Sequence, residues 1–384
     1  MSFYDLQEPT EWSDPPSMWS STSLDDIEAC PRRWQLLRSR WGDFKRFPVR
    51  LHPAALEGQI VHEALDRLSR ACGQRGNPAF GSAEFAAALT DAEFFAGFAN
   101  AVAEWRARLT SHPRPGLAFR LRTSGEELAN RAVRIFREQY RPDLRTAPLA
   151  VERTTTKAPG GMKTLLEHKR ALSEIKLTHP DIPFLGVLDR VLLTDEEVEV
   201  VDFKTGTPSE KHRKQLLRYA LLWWRNTGDA PVRVSAQYLD GVESWSVARG
   251  TLEDVETELV KDLPLLADAL KMRPAPARPG TNCHSCAVRA RCSAGWIAGE
   301  EAALADGRGD VELVVAAKAG DHGFLAWSRT GVEIAVVYQA AVARLLPELV
   351  DGQVLRILDG VWKEKRTQLE IRPWTEVFFV DKVT

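Results

Sequence analysis

Near Ala150 the hydrophobic pattern changes from a helical period to a strand period, and any fold for this chain has to hold both. Before that point almost everything reads as helix. Ser23 with Asp25 and Asp26 behind it looks like an N-cap with an acidic first turn, and Pro31 interrupts or restarts the helix that follows. Residues 56–71 carry an apolar stripe of Ile60, Ala64, Leu65 and Leu68, alanine-rich segments run to about Leu109, and Ser124 caps a helix over 125–140. After it come the β-rich runs VERTTT, FLGVLDRVLL and EVEVVDFKT, a helix over 210–225, two more strand-like runs and a helix over 252–272. This order reads as an α/β core with a helical N-terminal part.

Beyond Trp296 the chain turns β-rich again: three strand candidates, a helix and two further strands. That order matches the small Greek-key barrel called the OB-fold. The expected division is therefore a first domain over 1–300 and an all-β barrel over 301–384.

Composition sets limits rather than a function. The 384 residues are 44% hydrophobic, with 51 Lys and Arg against 53 Asp and Glu. Disorder is not the leading reading, and a uniformly basic nucleic-acid coat is excluded; local basic patches are not. Residues 1–30 carry no Lys or Arg, whereas 31–50 are rich in them, Arg32 and Arg33 included. That stripe is either a solvated face or a phosphate contact. With no long apolar run and no basic-then-apolar start, a soluble, cytoplasmic protein without a membrane partner is expected.

The chemistry concentrates on two strands. Asp189 lies in GVLDRVLL, while Asp202 and Lys204 close EVEVVDFKT two residues apart. Strand alternation puts Asp202 and Lys204 on one face, where they can converge with Asp189 at a sheet edge. Two such carboxylates suit Mg²⁺ or Mn²⁺, and a lysine beside them suits a scissile phosphate. A D-x-K triplet is common by itself. Here it is preceded by His62 in GQIVHEAL and followed by Gln215 and Tyr219, which share a helix face at i and i+4.

Taken in order, these residues resemble the RecB-like branch of the PD-(D/E)XK nuclease superfamily over about 18–296. The resemblance implies a restriction-endonuclease-like core in which His62, Asp189, Asp202 and the Phe203 carbonyl hold the divalent ion. It makes Lys204 catalytic, and lets Gln215 and Tyr219 support the site or touch DNA. Glu152 matches an acidic position of the family less closely, and the basic stretch 160–183 is longer than the family's usual turn.

Cys283, Cys286 and Cys292 form CxxCxxxxxC, with Cys30 about 250 residues earlier and followed by Pro31. Four thiolates suit a 4Fe–4S cluster or tetrahedral zinc. The pattern resembles the iron-sulfur members of the family, which include CRISPR-adaptation nucleases and helicase-nucleases, and the resemblance favours the cluster as a structural staple. Cys72 reads as a buried, inert thiol and His284 as a bystander. In the barrel, Phe324, Trp327, Tyr338, Trp362 and Trp374 offer faces for stacking bases, Trp327 and Trp362 foremost. Arg329, Arg356, Lys363, Lys365 and Arg366 offer phosphate contacts.

No GxxxxGK(S/T) phosphate loop occurs. The resemblance implies metal-dependent hydrolysis of DNA, exonucleolytic on single strands, in repair, recombination or end processing, with a helicase or repair protein as partner. The alternatives are a catalytically weak DNA-binding scaffold and a subunit that cuts only inside a complex, as in CRISPR adaptation.

Overall fold

The computed structural model describes residues 3–51, 53–114, 123–139, 170–193, 197–204, 207–238, 241–300, 307–343, 346, 349–363 and 366–380. Helix α1 (Ser21–Ala29) opens with a capping box one turn earlier than Ser23: Ser20 Oγ accepts from the Ser23 amide, and Ser23 Oγ accepts from the Ser20 amide. Ser23 is thus the third helical residue, not the cap. Pro31 begins α2 (Pro31–Arg38), leaving Cys30 in an extended backbone between the two helices. That break turns Cys30 out of the helical register.

Helices α3 (Pro53–Gln74), α4 (Ala83–Asp91), α5 (Phe94–Ser111) and α6 (Gly125–Gln139) follow, the last capped reciprocally by Ser124 and Glu127. They form their own core around Ile60, Leu68, Phe85, Phe98 and Leu128, and Cys72 is fully buried in it.

A six-stranded mixed sheet comes next: β1 (Trp19–Ser20), β2 (Arg170–Thr178), β3 (Phe184–Leu193), β4 (Val198–Phe203), β5 (Arg233–Tyr238) and β6 (Gly241–Ser246). β3 lies antiparallel to β2 and β4, β4 parallel to β5, and β5 antiparallel to β6. The parallel step from β4 to β5 requires a crossover, supplied by α7 (Glu210–Thr227), whose Leu216, Tyr219, Ala220 and Trp223 bury against the sheet. Helix α8 (Arg249–Lys271) packs over α7.

The reading of 160–183 as an insertion needs correcting. Residues 170–178 are strand β2, in register with β3, with Leu172 and Leu177 buried. The charged residues between those leucines had hidden the strand pattern. VERTTT and Glu152 lie outside the described residues, as does the rest of that stretch up to 169.

After α9 (Ser293–Glu300), the C-terminal strands are β7 (Arg308–Lys318), β8 (Gly323–Ser328), β9 (Glu333–Tyr338), β10 (Val354–Lys363), β11 (Gln368–Ile371) and β12 (Glu376–Val380), with short α10 (Ala340–Ala343) between β9 and β10. β7, β8 and β9 form an antiparallel meander, β9 pairs parallel with β11, β11 pairs with β10, and β10 returns to β7. This is a closed five-strand barrel compatible with an OB-like fold. β12 adds beside β11 along β10, so the single last strand expected from the sequence is two, separated by the turn that holds Pro373.

The barrel is docked, not tethered. Leu358 and Phe378 share a buried cluster with Leu36, Trp41, Phe47, Val288 and Trp296, so packing crosses the expected boundary at 300. Charged pairs cross it too: Arg289 with Asp310, and Arg114 with Glu376. Arg356 spends its guanidinium on Glu312 at 2.7 Å and on the Ala290 carbonyl at 3.0 Å, which corrects its assignment as a phosphate contact. Among the described residues no helix is long and apolar enough to cross a membrane.

Candidate active site

The β3–β4 register pairs Arg190 with Val201, and one step further brings Asp189 opposite Asp202. Residues directly opposite in an antiparallel pair point to the same face, so the two carboxylates meet as a consequence of register alone. Asp202 is 2% exposed. Asp189 Oδ2 accepts from the Phe203 amide at 2.9 Å. Burial, then the Asp202 charge, push the Asp189 carboxyl up to about 7, against the Phe203 amide and Lys204, which pull it down.

Lys204, two residues beyond Asp202, presents its ammonium on the same face and pairs with the Asp202 carboxylate. Its Nζ donates to Gln215 Oε1 at 2.8 Å, and Gln215 Nε2 donates to the Tyr219 hydroxyl at 2.7 Å. Lysine, glutamine and tyrosine thus form one chain of hydrogen bonds, with two α7 residues fixing the head of a flexible side chain. Burial pushes the Tyr219 phenol up to about 12, keeping its proton in place. Gly186 lets α7 come this close: a Cβ there would stand 2.7 Å from the Tyr219 ring and 2.8 Å from Leu222. On the far side α1 grips the same helix, with Arg218 donating to Ser21 at 2.9 Å and to Asp25 at 2.5 Å.

His62 projects from α3 on an exposed face within electrostatic reach of both Asp202 and Lys204. Partial desolvation of the ring lowers its pKa, Asp202 opposes the shift and Lys204 adds to it. His212, which the sequence reading passed over, also stands within reach of Lys204 and Asp202. The signal was present, because His212, Gln215 and Tyr219 fall at i, i+3 and i+7 of one helix.

The cysteines come from opposite ends of the first domain. Cys30 Sγ accepts from the Arg278 amide at 3.5 Å, Cys283 Sγ from Gly280 at 3.4 Å and Cys292 Sγ from Gly295 at 3.3 Å. Burial pushes the Cys286 thiol up, and Cys292 and Cys30 add to the shift, so the sulfurs share one neighbourhood. A Cβ on Gly295 would crowd the sulfurs of Cys292 and Cys283 at 3.3 and 3.7 Å. Among the described residues no group of three or more His, Cys, Asp or Glu side chains is already set as a metal cage. The donor chemistry still fits a bound ion at both places: a close pair of like charges at half-buried Asp189 and buried Asp202, and soft thiols served by backbone amides at the cysteines. His284 is half-buried and turned to the Thr281 carbonyl.

The expected DNA contacts sort unevenly. Arg32 Nε donates to the Ala275 carbonyl at 2.8 Å, and Arg33 pairs with Asp26 at 3.6 Å and acts on Cys286, so both belong to the cysteine neighbourhood. Phe324 is barrel core, 2% exposed, and is corrected as a stacking face. Trp362 is half-buried, its indole laid across Gly309 where a Cβ would fall 2.7 Å from Nε1. Tyr338 and Trp374 are likewise half-buried, whereas Trp327 is 44% exposed and Lys363, Arg329 and Arg366 are exposed. Lys365 lies outside the described residues.

A search of curated proteins finds no match. Among solved structures, the crystal structure of the tetrameric p202 HIN2 overlaps 19% of this chain and 42% of its own, at 16% identity and a TM-score of 0.16. That of SSO0001 overlaps 35% and 66%, at 16% identity and a TM-score of 0.21. The chain spans less than two thirds of either, and neither likeness bears on its fold or function. The family profile of the PD-(D/E)XK nuclease superfamily, by contrast, matches residues 18–293, the stretch that carries every element of the site, and the chain belongs to that superfamily.

Proposed function

We propose that this chain is a RecB-like, metal-dependent deoxyribonuclease that removes nucleotides from single-stranded or frayed DNA ends. Superfamily membership implies hydrolysis of phosphodiesters with a divalent ion. The observation that carries the site assignment is the cross-strand meeting of Asp189 and Asp202 beside a lysine held by Gln215 and Tyr219. A buried pair of like-charged carboxylates is costly unless a cation joins it. Asp189, Asp202, the Phe203 carbonyl and His62 would hold Mg²⁺ or Mn²⁺, which supplies a Lewis acid and an activated water. Lys204 brings a fixed positive charge to the scissile phosphate, and the Gln215 carbonyl oxygen aims it.

The purified chain is expected to degrade an end-labelled single strand with Mn²⁺ and to stop with chelator. Asp202→Asn, prepared in parallel, controls for contaminating nuclease. Equal cleavage by the variant would remove the activity from this site.

The barrel, with Trp327 and Lys363 exposed, would hold the single strand by stacking and charge. The four cysteines, Cys30, Cys283, Cys286 and Cys292, would carry a 4Fe–4S cluster that staples α1 and α2 to the end of the domain. Protein purified without oxygen is expected to be brown, absorbing near 400 nm, with about four irons per chain. Colourless protein loaded with zinc overturns the cluster and leaves the hydrolytic site untouched. Work on DNA ends in repair or recombination, beside a partner helicase, is the setting that the family resemblance suggests.

A further inference from the structure

His212 is bound into the site by its position on α7. It shares one stripe with Gln215, which holds Lys204, and with Tyr219. The imidazole is half-buried, and its Nδ1 lies 2.9 Å from the Tyr238 hydroxyl. Of the two partners the phenol is the more acidic donor and the imidazole nitrogen the better acceptor, so the hydroxyl proton goes to Nδ1 and the ring carries its own proton on Nε2. Among the described residues Nε2 has no hydrogen-bond partner. An Nε2 that bears hydrogen has no lone pair for a metal ion, so the ring is not a ligand in this arrangement. Burial and the nearby Lys204 lower its pKa, with Asp202 and Glu243 opposing.

We infer that His212 donates Nε2–H to a backbone phosphate oxygen of the bound strand, next to the scissile phosphodiester. An anionic acceptor is the chemistry that a fixed donor beside Lys204 selects, and the Tyr238 hydroxyl supplies the orientation. The inference rests on the nuclease reading and adds a substrate contact that the family motif residues do not include.

His212→Phe keeps a planar ring and removes the donor, whereas His212→Gln restores a donor of similar reach. In chelator, His212→Phe is expected to weaken binding of a fluorescein-labelled single strand about tenfold, with His212→Gln recovering most of it. Thermal midpoints should stay close to that of the starting protein. Single methylphosphonate substitutions along the strand give the second readout. At one position the neutral linkage should weaken the native protein about tenfold and leave the His212→Phe variant unchanged. Unchanged DNA affinity in His212→Phe, additive losses at every position, or a shifted Mn²⁺ requirement with DNA binding intact overturns the contact. If the native protein cleaves with Mn²⁺ and only these results fail, the nuclease reading stands. If the native protein neither binds nor cleaves, both fall.

Discussion

Arg114→Leu is expected to lower the stability of the protein by about 3–5 kcal/mol, because it leaves a buried carboxylate without its partner. The Arg114 guanidinium is 0% exposed. Its Nε and Nη2 donate to the two Glu376 oxygens at 2.8 Å each, and Nη1 donates to the Pro48 carbonyl at 3.0 Å and the Ala287 carbonyl at 2.7 Å. The rings of Phe47 and Phe378 lie 5.0 and 5.5 Å from it. One side chain thus joins the segment after α5, the loop after α2, the cysteine segment and the barrel.

Burial pushes the Glu376 carboxyl up, but Arg114, Arg50 and Arg289 outweigh it and hold the pKa below its ordinary 4.5. A depressed carboxylate stabilises the fold fully above its unfolded value, and that stability is lost as pH falls through the folded value. The native protein should therefore lose this contribution only in acid, while Arg114→Leu lacks it at neutral pH. The double variant Arg114→Leu, Glu376→Leu removes both charges and should recover much of the loss. Urea unfolding at pH 7 measures all three. A single-variant loss below 1 kcal/mol would mean that the barrel does not depend on this pair.

Nothing in the sequence pointed to Arg114 or Glu376. Each is an ordinary charged residue on its own segment, 262 positions apart, and only the tertiary packing pairs them. The metal-site reading was legible for the opposite reason. Asp202 and Lys204 are brought together by strand period, and Gln215 and Tyr219 by helix period, so local geometry fixes the relations that matter. The pairing of Asp189 with Asp202 needed one additional fact, the register. His212 was missed although the same helical period includes it, because it lay outside the motif being sought. Strand β2 was missed because its charged residues read as a loop, and Ser20 lost to Ser23 as cap because two serines three apart compete for one role. The aromatics of the barrel show where composition runs out: Phe324 and Trp327 sit three apart on one strand, so alternation sends them to opposite faces without saying that Phe324 is the core residue and Trp327 the exposed one. Facing inward or outward depends on barrel closure, which pairs the first strand with the fourth.

Asp189→Asn is expected to abolish cleavage and at the same time stabilise the metal-free protein at pH 8. Burial and the neighbouring Asp202 raise Asp189 from an ordinary 3.8 to about 7. The folded protein therefore keeps a proton that the unfolded chain releases between about pH 4 and 7. Stability falls as pH rises through that window, and above it the full cost remains, on the order of 4 kcal/mol at about 1.4 kcal/mol per pH unit. Asparagine removes the charge and still offers an oxygen to the Phe203 amide, whose bond to Asp189 is 2.9 Å. In chelator the variant should match the native protein near pH 4 and exceed it by a few kcal/mol at pH 8. Adding Mn²⁺ at pH 8 should raise the thermal midpoint of the native protein and move that of Asp189→Asn far less, because the variant keeps only one of the two carboxylates that would hold the ion. Guanidinium unfolding across pH, with and without Mn²⁺, separates these terms. A stability difference that does not vary with pH would show that the two carboxylates are not electrostatically opposed. Without that opposition, nothing in the fold itself would call for a cation at this edge of the sheet.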